Sequence, residues 1–415
     1  MAALTLFRPH VRAVASAVPL ISFRASAGGA PIAIGLFIAH RWGRRELAAF
    51  TIAHATVMIV VAVTDWGGTR ALPRNLATLA PEAVAPFLAA GNALRLGFVA
   101  AAIAVVAALA GAGAIGADAV RYLAILLPLC PLSILTTNAL SERVVSGATR
   151  PIAVAVSAGL ASFGALAAAA LTVHAGAPGI AAAYVAGKAI EAVVLVSGRW
   201  WVLSVATTGL ASAAAALWPF AAQMILGVVY SRLAVFTVER ATTREEFGIF
   251  SVALALQNAL LLVPASLALM QFPELSRRAQ AGEAAAVRRL LVRYTIVTAA
   301  AVLCGALVML AAAGRIAAAL DVPRGMMPFV VAFAALAFPA SLSVVAGFFL
   351  QARGEERLVS RLSVLTLALA LVYQVTALRA FGLWGIVAAV GAGEASTIAV
   401  FALGARPRRG RRDGT

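Results

Sequence analysis

Long stretches of this chain carry no charge at all. Leu96–Ala117, Tyr122–Ser141, Phe247–Pro273, Tyr294–Gly314 and Gly325–Ala352 are free of Asp, Glu, Lys and Arg, and Pro151–Gly187 and Trp200–Ser231 are longer still. An α-helix rises about 1.5 Å per residue, so roughly twenty apolar residues cross the hydrocarbon core of a bilayer. Only 12% of the 415 residues are charged and 63% are apolar, whereas a soluble domain carries charge on roughly a quarter of its residues. A chain of this length could not hide so much apolar surface in cores. Lipid must be the solvent for most of its exterior, and the expected fold class is an all-α membrane protein.

The runs place spans near 19–40, 47–70, 88–112, 119–141, 151–173, 179–199, 212–236, 247–272, 290–313, 326–350, 358–378 and 381–403, about twelve in all. The longest runs must contain breaks, and His174-Ala-Gly-Ala-Pro-Gly179 supplies the turn residues for one. An even count puts both ends of the chain on one side. Connections on that side hold twenty arginines against nine opposite, so the positive-inside rule places both termini in the cytoplasm. One lysine, Lys188, stands among 33 basic residues in an alanine-rich chain, a bias associated with GC-rich bacterial genomes, which makes the expected location a bacterial inner membrane. In a soluble protein a net charge of +17 would suggest nucleic acid. Here topology and anionic headgroups account for it, and no nucleic-acid partner is expected. Cys130 and Cys304 both lie in apolar runs and are expected to be buried spectators; the four histidines are scattered, and no metal or cofactor is implied.

The chain also repeats at an offset of 200 residues. Arg44-Arg45-Glu46-Leu47-Ala48-Ala49-Phe50 lies over Arg244-Glu245-Glu246-Phe247-Gly248-Ile249-Phe250, Pro73 over Pro273 and Pro19 over Pro219. Six spans per unit make both copies enter the membrane in the same direction. That is a parallel repeat about an axis along the membrane normal, with a cleft between two lobes. The expected organisation is an N-terminal six-helix lobe over 14–203, a C-terminal six-helix lobe over 204–405 and a basic cytoplasmic tail over 406–415. A transporter is the natural reading, and short loops between the helices favour a functional monomer.

Three segments carry a resemblance. They are Thr64-Asp65-Trp66-Gly67-Gly68-Thr69-Arg70-Ala71-Leu72-Pro73-Arg74-Asn75-Leu76-Ala77, then Glu246-Phe247-Gly248-Ile249-Phe250-Ser251 with Phe272-Pro273-Glu274-Leu275-Ser276, and Phe381-Gly382-Leu383-Trp384-Gly385-Ile386-Val387-Ala388. In this order within twelve spans they resemble the polysaccharide-flippase (O-antigen-type) branch of the multidrug/oligosaccharidyl-lipid/polysaccharide exporter superfamily. The resemblance implies a V-shaped exporter that flips a polyprenyl-(pyro)phosphate-linked oligosaccharide for surface polysaccharide synthesis by alternating access. It also implies association with glycan-assembly enzymes. One departure stands out: members often carry an acidic residue shortly after a Tyr-x-Arg in the seventh helix, and here Tyr230-Ser231-Arg232-Leu233 is followed by Ala234.

Ionisable groups at membrane depth are costly, so they face a cavity or a partner. Arg24, near Gly28, Gly29 and Pro31, either lines the cavity to grip a phosphate through bidentate hydrogen bonds or snorkels to the interface. Arg232 is likewise either a cavity arginine or an interfacial anchor. Lys188 and Glu191, three apart on the sixth span, share a face and are expected to pair. Asp65 could neutralise an arginine of the first span, while Arg70 and Arg74 are topology signals or part of a headgroup entrance. Glu394, an isolated carboxylate among small residues, pairs with a neighbouring helix or carries a proton. Arg24, Arg95, Lys188 and Arg232 against Asp65, Glu191 and Glu394 make a slightly cationic interior, which suits an anionic lipid-linked sugar better than a cationic drug. The substrate-binding candidates are thus Arg24, Arg232, Arg74, Arg70, Arg95 and Lys188, and the charge-pairing or ion-coupling candidates are Asp65, Glu191 and Glu394.

An enzyme is the main reading of another class, as a glycan polymerase or glycosyltransferase. Such an enzyme needs its acid or base beside water. The longest internal polar stretch here is about 274–289, and no Asp-x-Asp, Gly-x-Ser-x-Gly or phosphate-binding Gly-x-x-x-x-Gly-Lys-Ser/Thr pattern occurs. No enzymatic activity is expected. Within transport, the alternative is a multidrug/cation antiporter of the same superfamily, for which only Glu394 and Asp65 could supply the coupling carboxylate.

Overall fold

The computed structural model describes residues 28–76, 79–352 and 355–404. Among these residues the chain is helical, with no strand. Helix α1 covers 28–42. It is followed by α2 (Arg44–Asp65), α3 (Gly68–Leu76), α4 (Pro81–Gly111), α5 (Ala117–Leu126), α6 (Leu129–Val145), α7 (Thr149–Thr172) and α8 (Gly176–Val196). The second half holds α9 (Leu210–Ala241), α10 (Arg244–Gln280), α11 (Ala284–Ala311), α12 (Ala313–Ala319), α13 (Met327–Ala335), α14 (Ala337–Ala352), α15 (Glu356–Phe381) and α16 (Leu383–Gly404).

Among the described residues, eleven helices or broken helix pairs are long and apolar enough to cross a membrane. The first expected span, 19–40, falls partly outside the described residues, and α1 carries its latter part. Two spans are interrupted where proline intervenes. Pro128, which has no N–H for the ladder, separates α5 from α6, and the ring of Pro339 ends α13 at Ala335, four residues before it. The expected second span, 47–70, is corrected. It ends at Asp65, because Trp66 takes a left-handed conformation (φ 47°) and Gly67 follows at φ 77°. A Cβ on Gly67 would sit 2.5 Å from the backbone nitrogen of Ala221, so only glycine lets this turn lie against α9. Arg70 and Arg74 therefore stand on the separate helix α3.

The repeat is visible in the register: Arg44 and Arg244 each open their helix. At the second of these starts Thr243 and Glu246 form a reciprocal capping box, which satisfies backbone donors that a helix start leaves unpaired. Helices α2–α8 pack chiefly among themselves, as do α9–α16, and α2 crosses between the sets to lie on α9 and α10. One apolar cluster spans both sets, with Phe50, Val57 and Tyr122 from the first and Val235, Phe250, Phe329 and Phe333 from the second. The outer faces are equally apolar. Leu303, Leu307 and Val308 on α11 and Val364 and Val372 on α15 are exposed, as lipid-facing positions should be. Cys304 is exposed too, which corrects the expectation that both cysteines are buried; Cys130 is buried.

Candidate functional site

Among the described residues, three clusters of charged and polar side chains stand out in this apolar interior. The first lies where α7 and α8 cross. Gly159 and Gly187 face one another so closely that a Cβ on Gly187 would come within 2.8 Å of the Gly159 carbonyl oxygen. Beside that crossing Lys188 donates to Glu191 at 2.8 Å, with the carboxylate side chain only 2% exposed. Ala30 of α1, Phe163 and Tyr184 close around the pair.

The second cluster surrounds Arg95, whose side chain is fully buried on α4. Its Nη2 donates to Asn138 Oδ1 at 2.6 Å and to Asn92 Oδ1 at 3.0 Å, and its Nε donates to the Gly91 carbonyl at 3.1 Å. Asn92 and Asn138 in turn donate to the Val202 carbonyl, and Asn92 also donates to that of Ser204. The cluster thus ties α4 and α6 to the link between α8 and α9, which winds into a short 3-10 helix over Trp200–Leu203. Asp65 sits alongside, its Oδ2 accepting from the Thr69 backbone N–H at 2.8 Å, and its Oδ1 stands 3.9 Å from Arg95 Nη1. Among the described residues the cation nearest Asp65 is therefore the third span's Arg95; the arginine of the first span, Arg24, lies outside them.

The third cluster joins α9, α14 and α16. Ser343 donates to Glu394 Oε2 at 2.5 Å, and the Tyr230 hydroxyl is the carboxylate's other partner. Thr397 donates to Tyr230 at 3.4 Å, and Gly393 leaves room for the phenol, since a Cβ there would lie 3.2 Å from its oxygen. Glu394 is 6% exposed. Among the described residues its partners are hydroxyls, and no cation neutralises it.

Two residues beyond Tyr230, Arg232 is half-buried, and its Nε has no hydrogen-bond partner among the described residues. It lies within electrostatic reach of His54 on α2, whose ring stacks on Phe50 with centroids 5.7 Å apart. Both residues lie on helices, α2 and α9, that pack together where the two helix sets meet. Arg24 lies outside the described residues. Arg70 and Arg74 lie on α3, at the opposite end of α2 from Arg44.

Of the charges expected at depth, Lys188 meets Glu191, and Arg95 meets Asp65 at longer range. Arg232 and Glu394 are in the second half, and neither has an opposite charge beside it among the described residues. Sequence reasoning passed over His54, Tyr230, Ser343, Asn92 and Asn138. A listing of hydrogen-bonding side chains within apolar runs would have found both asparagines, since an amide in a span needs a partner.

No family model and no curated protein matches the chain in sequence. Solved structures do match. A multidrug resistance MATE family transporter of the MOP superfamily in its inward-facing conformation shares 13% identity at a TM-score of 0.71, covering 94% of this chain and 97% of that one. A MOP superfamily transporter from Pyrococcus furiosus, described as having a binding pocket of reverse polarity that suggests a different function, matches with TM-score 0.71 and 12% identity over 94% of each chain. The Vibrio cholerae MATE transporter VcmN, in a mutant form, matches with TM-score 0.65 and 16% identity over 94% of each chain. At such identities the likeness is one of architecture: along nearly all its length this chain has the two-lobed, all-helical fold of the MATE transporters of the MOP superfamily.

Proposed function

We infer that the protein is an alternating-access transporter that exports amphiphilic compounds in exchange for a proton or monovalent cation, with Glu394 as the coupling carboxylate. The fold supports a transporter rather than an enzyme, because the solved proteins that share it are transporters. The observation that carries the coupling role is the setting of Glu394. It is a carboxylate 6% exposed, held between Ser343 and Tyr230, with no cation beside it among the described residues. Structural carboxylates at membrane depth are normally paired with a cation, as Glu191 is here with Lys188. One that is not paired is free to exchange a proton or a cation as the two lobes rock. The arginine bias would place both termini in the cytoplasm of a bacterial inner membrane.

A second reading has its own observation. Arg232, without a carboxylate partner among the described residues, stands where the two helix sets meet and within electrostatic reach of His54. A cationic cleft suits the phosphate of a polyprenyl-linked oligosaccharide, which would make the protein a flippase for surface glycan synthesis.

Purified protein in liposomes with an imposed pH gradient tests the two readings together. Gradient-driven movement of a cationic dye, lost in Glu394→Gln with folding intact, is the expected result. No dye movement under any gradient, together with loss of surface glycan and accumulation of lipid-linked precursor in a strain lacking the gene, would reject the antiporter and favour the flippase.

A further inference from the structure

The end of the bundle that the arginine bias assigns to the outside holds a symmetric arrangement. Arg44, the first residue of α2, meets Asp321, which lies between α12 and α13; Nε stands 3.4 Å from Oδ2. Arg244, the first residue of α10, meets Asp118 in the first turn of α5 at 3.7 Å. Each arginine opens the second span of one half, and each aspartate follows the third span of the other half. Both pairs therefore cross between the two helix sets, and they are counterparts under the 200-residue repeat, with Arg44 over Arg244 and Asp118 three residues out of register with Asp321.

Around these pairs the two sets touch closely. His40 Nδ1 lies 2.7 Å from the Ala319 carbonyl oxygen, and a Cβ on Gly248 of α10 would lie 2.9 Å from Arg44 Cβ. Glu46, two residues from Arg44, behaves differently. It accepts from Arg121 at 2.9 and 3.0 Å and from Tyr122 at 2.5 Å, which are contacts within one set. The neighbouring charges thus divide their work: Glu46 ties α2 to its own half, while Arg44 ties it to the other.

We propose that Arg44–Asp321 and Arg244–Asp118 are the paired latches of an extracytoplasmic gate that closes the inter-lobe cleft on that side. This rests on the alternating-access reading above. The pairs suit a gate because they are weak. Asp321 is 77% exposed, and both members of the second pair are at least 70% exposed, so solvent competes for each charge and neither pair can trap one state. Buried ion pairs at the same place would hold the gate shut. Gly248 provides the close approach of α2 and α10 that brings the latches into range.

The gate is tested by distance rather than by transport. Spin labels at Arg45→Cys and Arg324→Cys, both exposed positions of opposite halves, are introduced with Cys130→Ala and Cys304→Ala, and their separation is read by pulsed electron resonance in lipid nanodiscs. Arg44→Asp or Asp321→Arg should raise the population with separated labels roughly three- to ten-fold, since a weak attraction becomes a repulsion. The double swap Arg44→Asp/Asp321→Arg should restore the original distribution, and Arg244→Asp with Asp118→Arg should repeat the pattern. Gly248→Leu, which leaves every charge in place, should also separate the labels by wedging the helices apart. Single reversals that leave the distribution unchanged, or a swap that fails to restore it, would overturn the latch. Labels that never move under any pH gradient or variant would instead reject alternating access itself.

Discussion

Arg95 separates a structural charge from a substrate-binding one. Its guanidinium is fully buried and donates three hydrogen bonds, to Gly91, Asn92 and Asn138. Arg95→Ala would strand the side-chain oxygen of Asn138, weaken the hold on the Val202 link and leave Asp65 as a carboxylate 2% exposed that has lost its nearest cation among the described residues. Each hydrogen bond to a charged group is worth about 1.5–3 kcal/mol. They are not additive, because Asn92 and Asn138 also bond to each other at 2.7 Å. Breaking a buried charge pair by removing one member costs about 3–5 kcal/mol, and that range is the expectation for Arg95→Ala. Asp65→Asn leaves the buried guanidinium without its counter-charge but keeps its three hydrogen bonds and an amide oxygen that can accept from Thr69, so a cost near the lower end, about 3 kcal/mol, is expected. Because the two groups interact, Asp65→Asn/Arg95→Met should be less destabilised than the two single losses added together. Unfolding midpoints of the purified protein measure this directly, and Trp66, stacked on Phe98 at 4.4 Å next to Asp65, reports locally by fluorescence. If Arg95→Ala unfolds at the wild-type midpoint and loses only transport, Arg95 faces the substrate and the structural argument is wrong.

Lys188→Met should destabilise the protein by about 3–5 kcal/mol by stranding Glu191, and Lys188→Met/Glu191→Gln should recover much of that loss in the same unfolding assay. Gly187→Leu should be worse than Lys188→Met, since a side chain there meets the Gly159 carbonyl and Phe163; wild-type thermal stability would contradict the close α7–α8 crossing. Thr243→Ala removes the cap of α10 and should cost about 1 kcal/mol, read as a lowered unfolding midpoint.

The approximate course of most spans was legible in the sequence, and the direction of each residue around its helix was not. Charge-free length located the spans, and Arg44 over Arg244 located the repeat. Lys188 and Glu191 could be paired because three residues on a helix return nearly to the same face. Asp65 shows where this reasoning stops. Its partner comes from a span thirty residues on, and no period in the sequence points there. In a soluble helix the polar face would say which side is outside. Here the lipid-facing residues Leu303 and Leu307 are as apolar as the buried Val235 and Phe329, so the 3.6-residue alternation that marks an inner face is missing. The same uniformity made Cys304 look buried. The end of α2 was missed for another reason: Trp66 must go left-handed and Gly67 must meet α9, and both are demands of packing across the chain.

If the protein is the transporter proposed above, Arg232 bears on which substrate it carries, because its charge should act in opposite directions on opposite ligands. It is half-buried, its Nε has no hydrogen-bond partner among the described residues and it lies near His54. A guanidinium about 8 Å from a bound charge contributes on the order of 0.5 kcal/mol at the dielectric of water and about 2 kcal/mol at an effective value near 20. Those energies correspond to roughly two- to thirty-fold in affinity. Arg232→Gln should therefore tighten binding of a cationic dye by that factor and weaken binding of an amphiphilic phosphate by a similar one, both measured by fluorescence titration at low salt. High salt should shrink both changes, since a wetted cleft is screened. Equal shifts for the two ligands would mean that Arg232 affects the fold of the cleft rather than its potential, and no shift for either would remove it from the binding surface. Opposite shifts would establish the cleft as cationic. The ligand that the wild-type protein then binds more tightly at equal apolar size would decide between drug export and lipid-linked glycan flipping.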